Sequence, residues 1–250
     1  MSGVYARLAA YLEAGEPVAL ATVIASERAG AKLLVPPTGE VIGGIDPALD
    51  ARIADDCRAQ LAAERSEMRR YAVEGGELSV FIESFPRPPR LIIVGAVHTA
   101  IPLHRLAKEI GYHVAVVDAR GGLATRERFP EADILRIDWP DDALLELGLD
   151  SSTAVVVLTH DPKFDEPALL SALASDAFYI GAIGSRTTNE QRRASLLAQG
   201  ISAEQLARIH APIGLDIGSR TPAEIALAIL AEVVAVRHGR RGGRLSEALA

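Results

Sequence analysis

Three short segments concentrate the side chains that could do chemistry. Leu158-Thr159-His160-Asp161-Pro162 sets an imidazole beside a carboxylate. Such a pair can hold a proton, orient a ligand or coordinate a metal. The plainer alternative is that Asp161 or Thr159 caps the next helix and His160 is structural. Adjacent side chains diverge and no third ligand is evident, so a metal is the weaker reading and none is expected. Ala182-Ile183-Gly184-Ser185-Arg186 puts a glycine, a hydroxyl and a guanidinium ahead of a helical stretch. Helix-start N–H groups and an arginine fork attract anions; the alternative is a serine cap beside a solvated Arg186. The third segment, Val94-Gly95-Ala96-Val97-His98-Thr99-Ala100, has the outline of a dinucleotide loop. Asp118 ends the next apolar run about 20 positions on, where a ribose-binding acid belongs. Val97 occupies the slot whose glycine lets a pyrophosphate approach the backbone, which argues against ordinary NAD(P) binding. Downstream, residues 209–222 form an apolar loop with glycines at 214 and 218. It can fold over a ligand and deliver Asp216 and Arg220, or simply pack the last helix.

These segments need elements to position them. Apolar runs at 91–94, 114–117, 134–137, 154–158 and 178–180 each precede helical or loop sequence. Continuous runs predict strands buried on both faces. Their alternation with helices predicts an α/β fold, a Rossmann-like parallel sheet with ligands at the carboxyl ends of its strands. Thr221-Pro222-Ala223-Glu224 predicts a capping box opening a helix through Val236. Arg237, Arg240, Arg241 and Arg244 complement that helix's dipole. Three prolines between Phe85 and Arg90 predict a linker over 84–90. It divides a domain at 1–83 from one at 91–240, with 241–250 a basic, flexible tail.

The first domain reads as a smaller α+β unit. A helix over 4–12, a strand over 18–24 and a hairpin around Pro36-Pro37-Thr38-Gly39 come first. Asp46-Pro47 then opens a helix running to about Tyr71, with Leu49, Ile53, Cys57 and Leu61 on one stripe. Cys57 is therefore a buried core thiol. Arg65, Arg69 and Arg70 with Glu64 and Glu67 read as that helix's solvated face. A strand follows at 78–82.

Composition narrows the function classes. Of 250 residues, 49% are hydrophobic and 24% charged, enough for a packed core. A net charge of −7 and only 4% aromatics speak against nucleic acid as a partner. One cysteine excludes a disulfide framework and suits a reducing compartment. The start lacks a signal-peptide pattern, and no apolar run reaches the roughly 20 residues of a membrane span. The expectation is a cytoplasmic protein with no membrane partner.

Taken in order, VGAVHTA, VVDARGGLATRERFP, VVLTHDPKFD, YIGAIGSR and HAPIGLDIGSRTPAEIALAILAEVVAV resemble the xanthine dehydrogenase accessory (XdhC) family, from about Arg90 to Arg240. The resemblance implies a Rossmann-like C-terminal domain behind a family-type N-terminal domain. It implies binding of the molybdenum cofactor, a pyranopterin with a phosphate, and its protection and presentation for sulfuration. The partners it implies are a molybdenum hydroxylase apoenzyme, such as xanthine or carbon monoxide dehydrogenase, a sulfurase and a second copy in a homodimer. Family strand-end motifs fall on Gly95, His98, Asp118, His160, Asp161, Gly184, Ser185, Arg186, Gly214, Asp216, Gly218, Arg220 and Glu224, the candidate cofactor contacts.

Two departures stand out. Val97 replaces the second glycine of the family's G-A-G-H loop. Ile45, in Gly43-Gly44-Ile45-Asp46, replaces the cysteine of G-G-C-x-E, and an alkyl chain can neither ligate molybdenum nor carry sulfur. The family's G-S-x-P-R-x-x-G-A-K is shortened here to residues 25–32 and lacks its proline. A non-enzymatic maturation factor is the leading reading. An NAD(P)-dependent oxidoreductase with Asp118 on the ribose, and a scaffold without bound cofactor, stay open beside it.

Overall fold

The structure, a computed structural model, describes residues 3–73 and 76–248. Its contacts divide it into two compact units, Met1–Arg87 and Pro88–Ala250.

The first unit runs α1 (Gly3–Glu13), β1 (Val18–Ala25), β2 (Lys32–Val35), β3 (Ile42–Gly44), α2 (Asp50–Ala62), β4 (Glu67–Val73) and β5 (Gly76–Phe85). The strands form one antiparallel sheet in the order β3-β2-β1-β5-β4. α2 lays Ile53, Cys57 and Leu61 on one sheet face, against Ala21, Leu33 and Val80. Leu8 of α1 covers the other, over Val18, Leu20 and Leu34.

The long helix expected over 46–71 is two elements. Asp46-Pro47 builds a turn: the Asp46 carboxylate accepts the N–H of Ala48 at 2.9 Å, and Asp50 accepts those of Ile45 and Asp46, both at 2.9 Å. The helix therefore opens at Asp50. It stops at Ala62, and Glu64 takes a left-handed φ of +49°. Residues 67–73 then form an edge strand in which only Tyr71 is fully buried. The arginines and glutamates read as a solvated helix face thus belong to a turn and a strand edge. Arg69 pairs with Glu67, and Arg70 lies 3.6 Å across the strands from Glu77.

The second unit runs β6 (Arg90–Val94), α3 (Ala100–Glu109), β7 (His113–Val117), β8 (Ile134–Arg136), α4 (Pro140–Leu147), β9 (Thr153–Val157), α5 (Pro162–Leu173), β10 (Tyr179–Ala182), α6 (Arg186–Ala198), α7 (Ala203–Leu206), β11 (Ile209–His210), α8 (Pro222–Arg237) and α9 (Leu245–Ala248). The sheet is parallel, in the order β11-β10-β9-β6-β7-β8. The chain starts in the middle, grows to one edge, crosses back and grows to the other. This is a doubly wound Rossmann arrangement, with its switch point between β6 and β9. Leu91 and Ile93 face Leu103, Ile229 and Val233 on one side. Ile92 and Val94 face Leu144, Leu169 and Ala172 on the other. The capping box forms: Thr221 accepts the Glu224 N–H, and Glu224 reaches back to the Thr221 N–H.

Three boundaries differ from expectation. Ser84 and Phe85 belong to β5 and Arg90 to β6, leaving 86–89 outside both strands. Residues 209–210, read as loop, pair with β10 as β11. In the expected tail, α9 forms, and a Cβ on Gly242 would lie 2.9 Å from Leu215; residues 249–250 lie outside the described residues. Among the described residues, no helix is long and apolar enough to cross a membrane.

Cys57 is fully buried, and burial first, the Asp56 charge second, push its thiol up to about 12. The thiolate is the reactive form. The folded protein is expected to resist a thiol-labelling reagent at pH 8, and to take up one equivalent after unfolding in urea. Rapid labelling of the folded state would contradict this packing.

Candidate functional site

The carboxyl edge of the parallel sheet is built from loops that lock onto one another. Gly95 follows β6 with φ +107°, and its N–H donates to the Val117 carbonyl at 2.8 Å. A Cβ here would lie 2.8 Å from Thr159 Cγ2 and 3.1 Å from the Thr159 nitrogen. The glycine is thus required by contact with the loop after β9, before any ligand is considered. Val97 packs against the core beside α3 and α8, while His98 is exposed. Thr99 stands at the N-cap of α3 without a side-chain cap bond.

Asp118 closes this corner. It is 3% exposed, and both its oxygens are engaged. Oδ2 accepts from Ala96 N–H at 2.7 Å and Arg120 Nη2 at 2.8 Å; Oδ1 accepts from Arg120 N–H and Nε, each at 2.9 Å. Burial pushes the carboxyl up, but the bonds from Arg120 and Ala96 outweigh it and hold the group below its ordinary value. A ribose would have to compete with all four donors.

After β9, Asp161 caps α5, accepting the Lys163 N–H at 3.1 Å. His160 is exposed, with a left-handed φ of +61°. Beneath them runs a buried chain of polar groups that sequence reading missed. Thr159 Oγ1 donates to Asp165, and Arg192 Nη2 meets the other Asp165 oxygen at 2.7 Å. Arg192 also donates to the Ile183 carbonyl at 3.1 Å and to Asn189, whose Nδ2 donates to the Gly184 carbonyl at 3.1 Å. Asp165 and Arg192 are 1% and 8% exposed. The one local signal was that Arg192 shares an inward helix face with Leu196, four positions on.

Ser185 caps α6 through the Thr188 N–H at 3.1 Å. Arg186 is exposed and turns into a groove bordered by α6, α7 and β11. The loop after β11 is stapled to α8. Glu232 accepts the Gly214 N–H at 2.8 Å and the Tyr179 hydroxyl, and its other oxygen lies 3.8 Å from His210 Nδ1. The His210 ring stacks on Tyr179 at 4.7 Å. Burial pushes Glu232 up, yet His210, Tyr179 and the Gly214 N–H together hold it below its ordinary value. Asp216, Gly218 and Arg220 are exposed beyond this staple, and Glu224 is used by the capping box.

A second feature missed from sequence lies at the ends of β7, β8 and β9. Trp139, 41% exposed, sits 5.3 Å from Phe164, ring centre to ring centre. Lys163 Nζ lies 4.8 Å over Trp139, and the Arg120 guanidinium 5.6 Å from Phe164. Two aromatic faces and two cations form one shelf, able to stack and charge-match a planar anion. Its members come from the loop after β7, the cap of α4 and the first turn of α5, so no linear motif announced it. Among the described residues, no group of three His, Cys, Asp or Glu side chains is placed to hold a metal.

In the first unit, Arg28 pairs with Asp46 and donates to the Ile45 carbonyl at 3.3 Å, joining the two altered motifs. Ile45 is buried in the core there.

The Asp118 geometry carries a pH dependence. A carboxyl held below its ordinary value stabilises the fold above that value, and the contribution is lost as pH falls through the depressed one. Asp118→Asn is expected to unfold at lower urea than the native protein at pH 7, with the gap closing below about pH 4. A gap that stays constant with pH would contradict the assignment.

Comparison with known proteins adds the relatives of this edge. The model of the XdhC Rossmann domain matches residues 91–233, and that of the XdhC and CoxI family matches 11–72. From Escherichia coli (strain K12), uncharacterized protein YqeB is 29% identical over 91% of this chain and 45% of its own length. A probable xanthine dehydrogenase subunit from Bacillus subtilis (strain 168) is 33% identical over 64% of this chain and 46% of its own. The molybdenum cofactor insertion chaperone PaoD of Escherichia coli (strain K12) is 32% identical over 65% and 45%. The chain thus spans about half the length of the curated relatives it matches. A crystal structure described as a xanthine dehydrogenase from Bacillus halodurans superposes over the whole of both chains with TM-score 0.56 at 19% identity, a likeness of fold. Because the XdhC Rossmann model covers more than half of the sequence, on the very strands and loops that build this edge, the chain belongs to the XdhC family.

Proposed function

We propose that the Rossmann unit holds the molybdenum cofactor by its organic part and passes it to a molybdenum hydroxylase apoenzyme, as a maturation factor and not a turnover enzyme. The observation that carries this reading is the shelf of Trp139, Phe164, Arg120 and Lys163, at the sheet edge where doubly wound folds take ligands. The residues present suit a pyranopterin and its phosphate: two ring faces and two cations for a flat, anionic molecule. Ile45, which replaces the family's cysteine, offers the metal end only carbon, and Cys57 is sealed in the core. The cofactor, when bound, supplies the redox metal that the client hydroxylase uses.

The chain's own residues bind and orient. Trp139 and Phe164 would fix the plane of the ring system, and Arg120 and Lys163 its charge. Gly95, His98, Asp118, His160 and Asp161 build the adjoining loops; Asp118 acts by pinning Arg120. Gly184, Ser185, Gly214, Asp216, Gly218 and Arg220 extend the same edge. The name of the relative PaoD, a molybdenum cofactor insertion chaperone, supports this reading, as does that of the Bacillus subtilis relative, a probable xanthine dehydrogenase subunit. A sulfurase, a second copy of the chain and a cytoplasmic setting complete the proposal. The engaged oxygens of Asp118 weigh against the NAD(P) oxidoreductase.

The test is to purify the protein from a host that makes the cofactor, denature it, and assay the supernatant for oxidised pterin, molybdenum and nicotinamide nucleotides. About one pterin per chain is expected, falling several-fold in Trp139→Ala and Lys163→Ala. Recovery of NAD(P) without pterin would replace this reading with the oxidoreductase. An empty protein that also fails to take up added cofactor would leave the scaffold.

A further inference from the structure

Beyond the shelf, the second unit holds a cavity of about 320 Å³ between α6, α7 and β11. That is within the range of small-molecule sites, roughly 300–1,000 Å³. One wall is a single face of α6: Arg186, Glu190 and Arg193 recur at spacings of four and three, so they stand one above another. The apolar lining that a ligand can reach is Ile209, Ala211 and Pro212. Leu196 and Leu206, 0% and 4% exposed, lie beneath them as core residues.

The charges on this wall are not used by the fold. Arg192, on the neighbouring face, is consumed by Asp165, Asn189 and the Ile183 carbonyl. Arg208, beside β11, is consumed by the carbonyls of Leu173, Ser175 and Ala177. Among the described residues, neither Arg186 nor Arg193 makes an ion pair or side-chain hydrogen bond, although Glu190 lies one turn from each. Two guanidinium forks against one carboxylate leave the groove net positive, and the nearby amino end of α6 adds to it. An arginine fork matches a carboxylate or phosphate with two parallel bonds. Glu190 can accept from a donor on the same ligand.

We infer that this groove is a second ligand site, separate from the Trp139–Phe164 shelf, for a small molecule that carries a phosphate or carboxylate on an apolar body. Arg186 and Arg193 take the anion, and Ile209, Ala211 and Pro212 take the body. The site stands whether or not the shelf holds a pterin, and it draws Arg186 away from the cofactor loops.

The test is calorimetric titration of the full chain with phenyl phosphate, with inorganic phosphate and with phenol. Saturable binding of phenyl phosphate is expected, tighter than either fragment. Arg186→Ala and Arg193→Ala should each weaken it by about tenfold to a hundredfold, the usual worth of a charge-assisted bond. Both side chains are exposed, so unchanged circular dichroism and melting temperature are expected as a folding check. Trp139→Ala should leave phenyl phosphate binding alone. No saturable binding at millimolar concentration, or binding indifferent to both arginines, would overturn the site. Binding lost in Trp139→Ala but kept in Arg186→Ala would overturn it too, by moving the anion to the shelf. Pterin recovery bears only on the shelf, so the two readings fail separately.

Discussion

The buried pair of Asp165 and Arg192 is the interaction on which the functional edge depends. Two charges taken out of water are tolerable only when every remaining donor and acceptor is satisfied. Here Thr159, Asn189 and the Ile183 carbonyl supply those partners. The pair therefore does more than join α5 to α6. Through Thr159 it fixes the loop that presses on Gly95, and through Asn189 it fixes the Gly184 turn. Three strand ends share one polar anchor. Removing either partner would leave an uncompensated charge inside the protein, which costs several kcal/mol. An apolar pair could match its stability, but not its hold on the two loops, direct at the Ile183 carbonyl and relayed through Thr159 and Asn189.

The same logic sorts the charges at this edge. Asp118, Asp165 and Glu232 are turned inward, and each is satisfied by donors of the fold. Arg120, Lys163, Arg186 and Arg193 are exposed. In a chain of net charge −7, the edge so gathers cations around two aromatic rings and around one apolar groove. A cation fixed by a counter-charge beneath it, as Arg120 is by Asp118, needs little reorganisation when an anion arrives. Asp118 grips Arg120 from below, while the guanidinium lies against Phe164. Asp118 therefore holds Arg120 at the strand end where a dinucleotide fold keeps its ribose-binding acid.

The sequence by itself determined much of this protein. Continuous apolar runs marked the five main strands of the parallel sheet, because burial on both faces removes the polar alternation. Thr221-Pro222-Ala223-Glu224 marked the start of α8, because a capping box is closed by residues three apart. Asp161 and Ser185 were legible as caps because each can accept a backbone N–H two or three residues on. The ordered set of strand-end motifs marked the family. Local pattern misled where two periods overlap. Leu49, Ile53, Cys57 and Leu61 set a true helical stripe, but the charged stretch beyond it continued as β4, since Tyr71 had a sheet to face.

Only the tertiary structure decided the chemistry of the site. Arg120 comes from the loop after β7, Trp139 from the cap of α4, Lys163 and Phe164 from the first turn of α5, and Asp165 and Arg192 from two helices, so no spacing rule links them all. Neighbours along a helix or strand are set by a repeat of a few residues. Neighbours across strand ends are set by the order in which strands take their places in the sheet. Here the crossing from β8 to β9 brings α4 and α5 side by side, and with them Trp139 and Phe164.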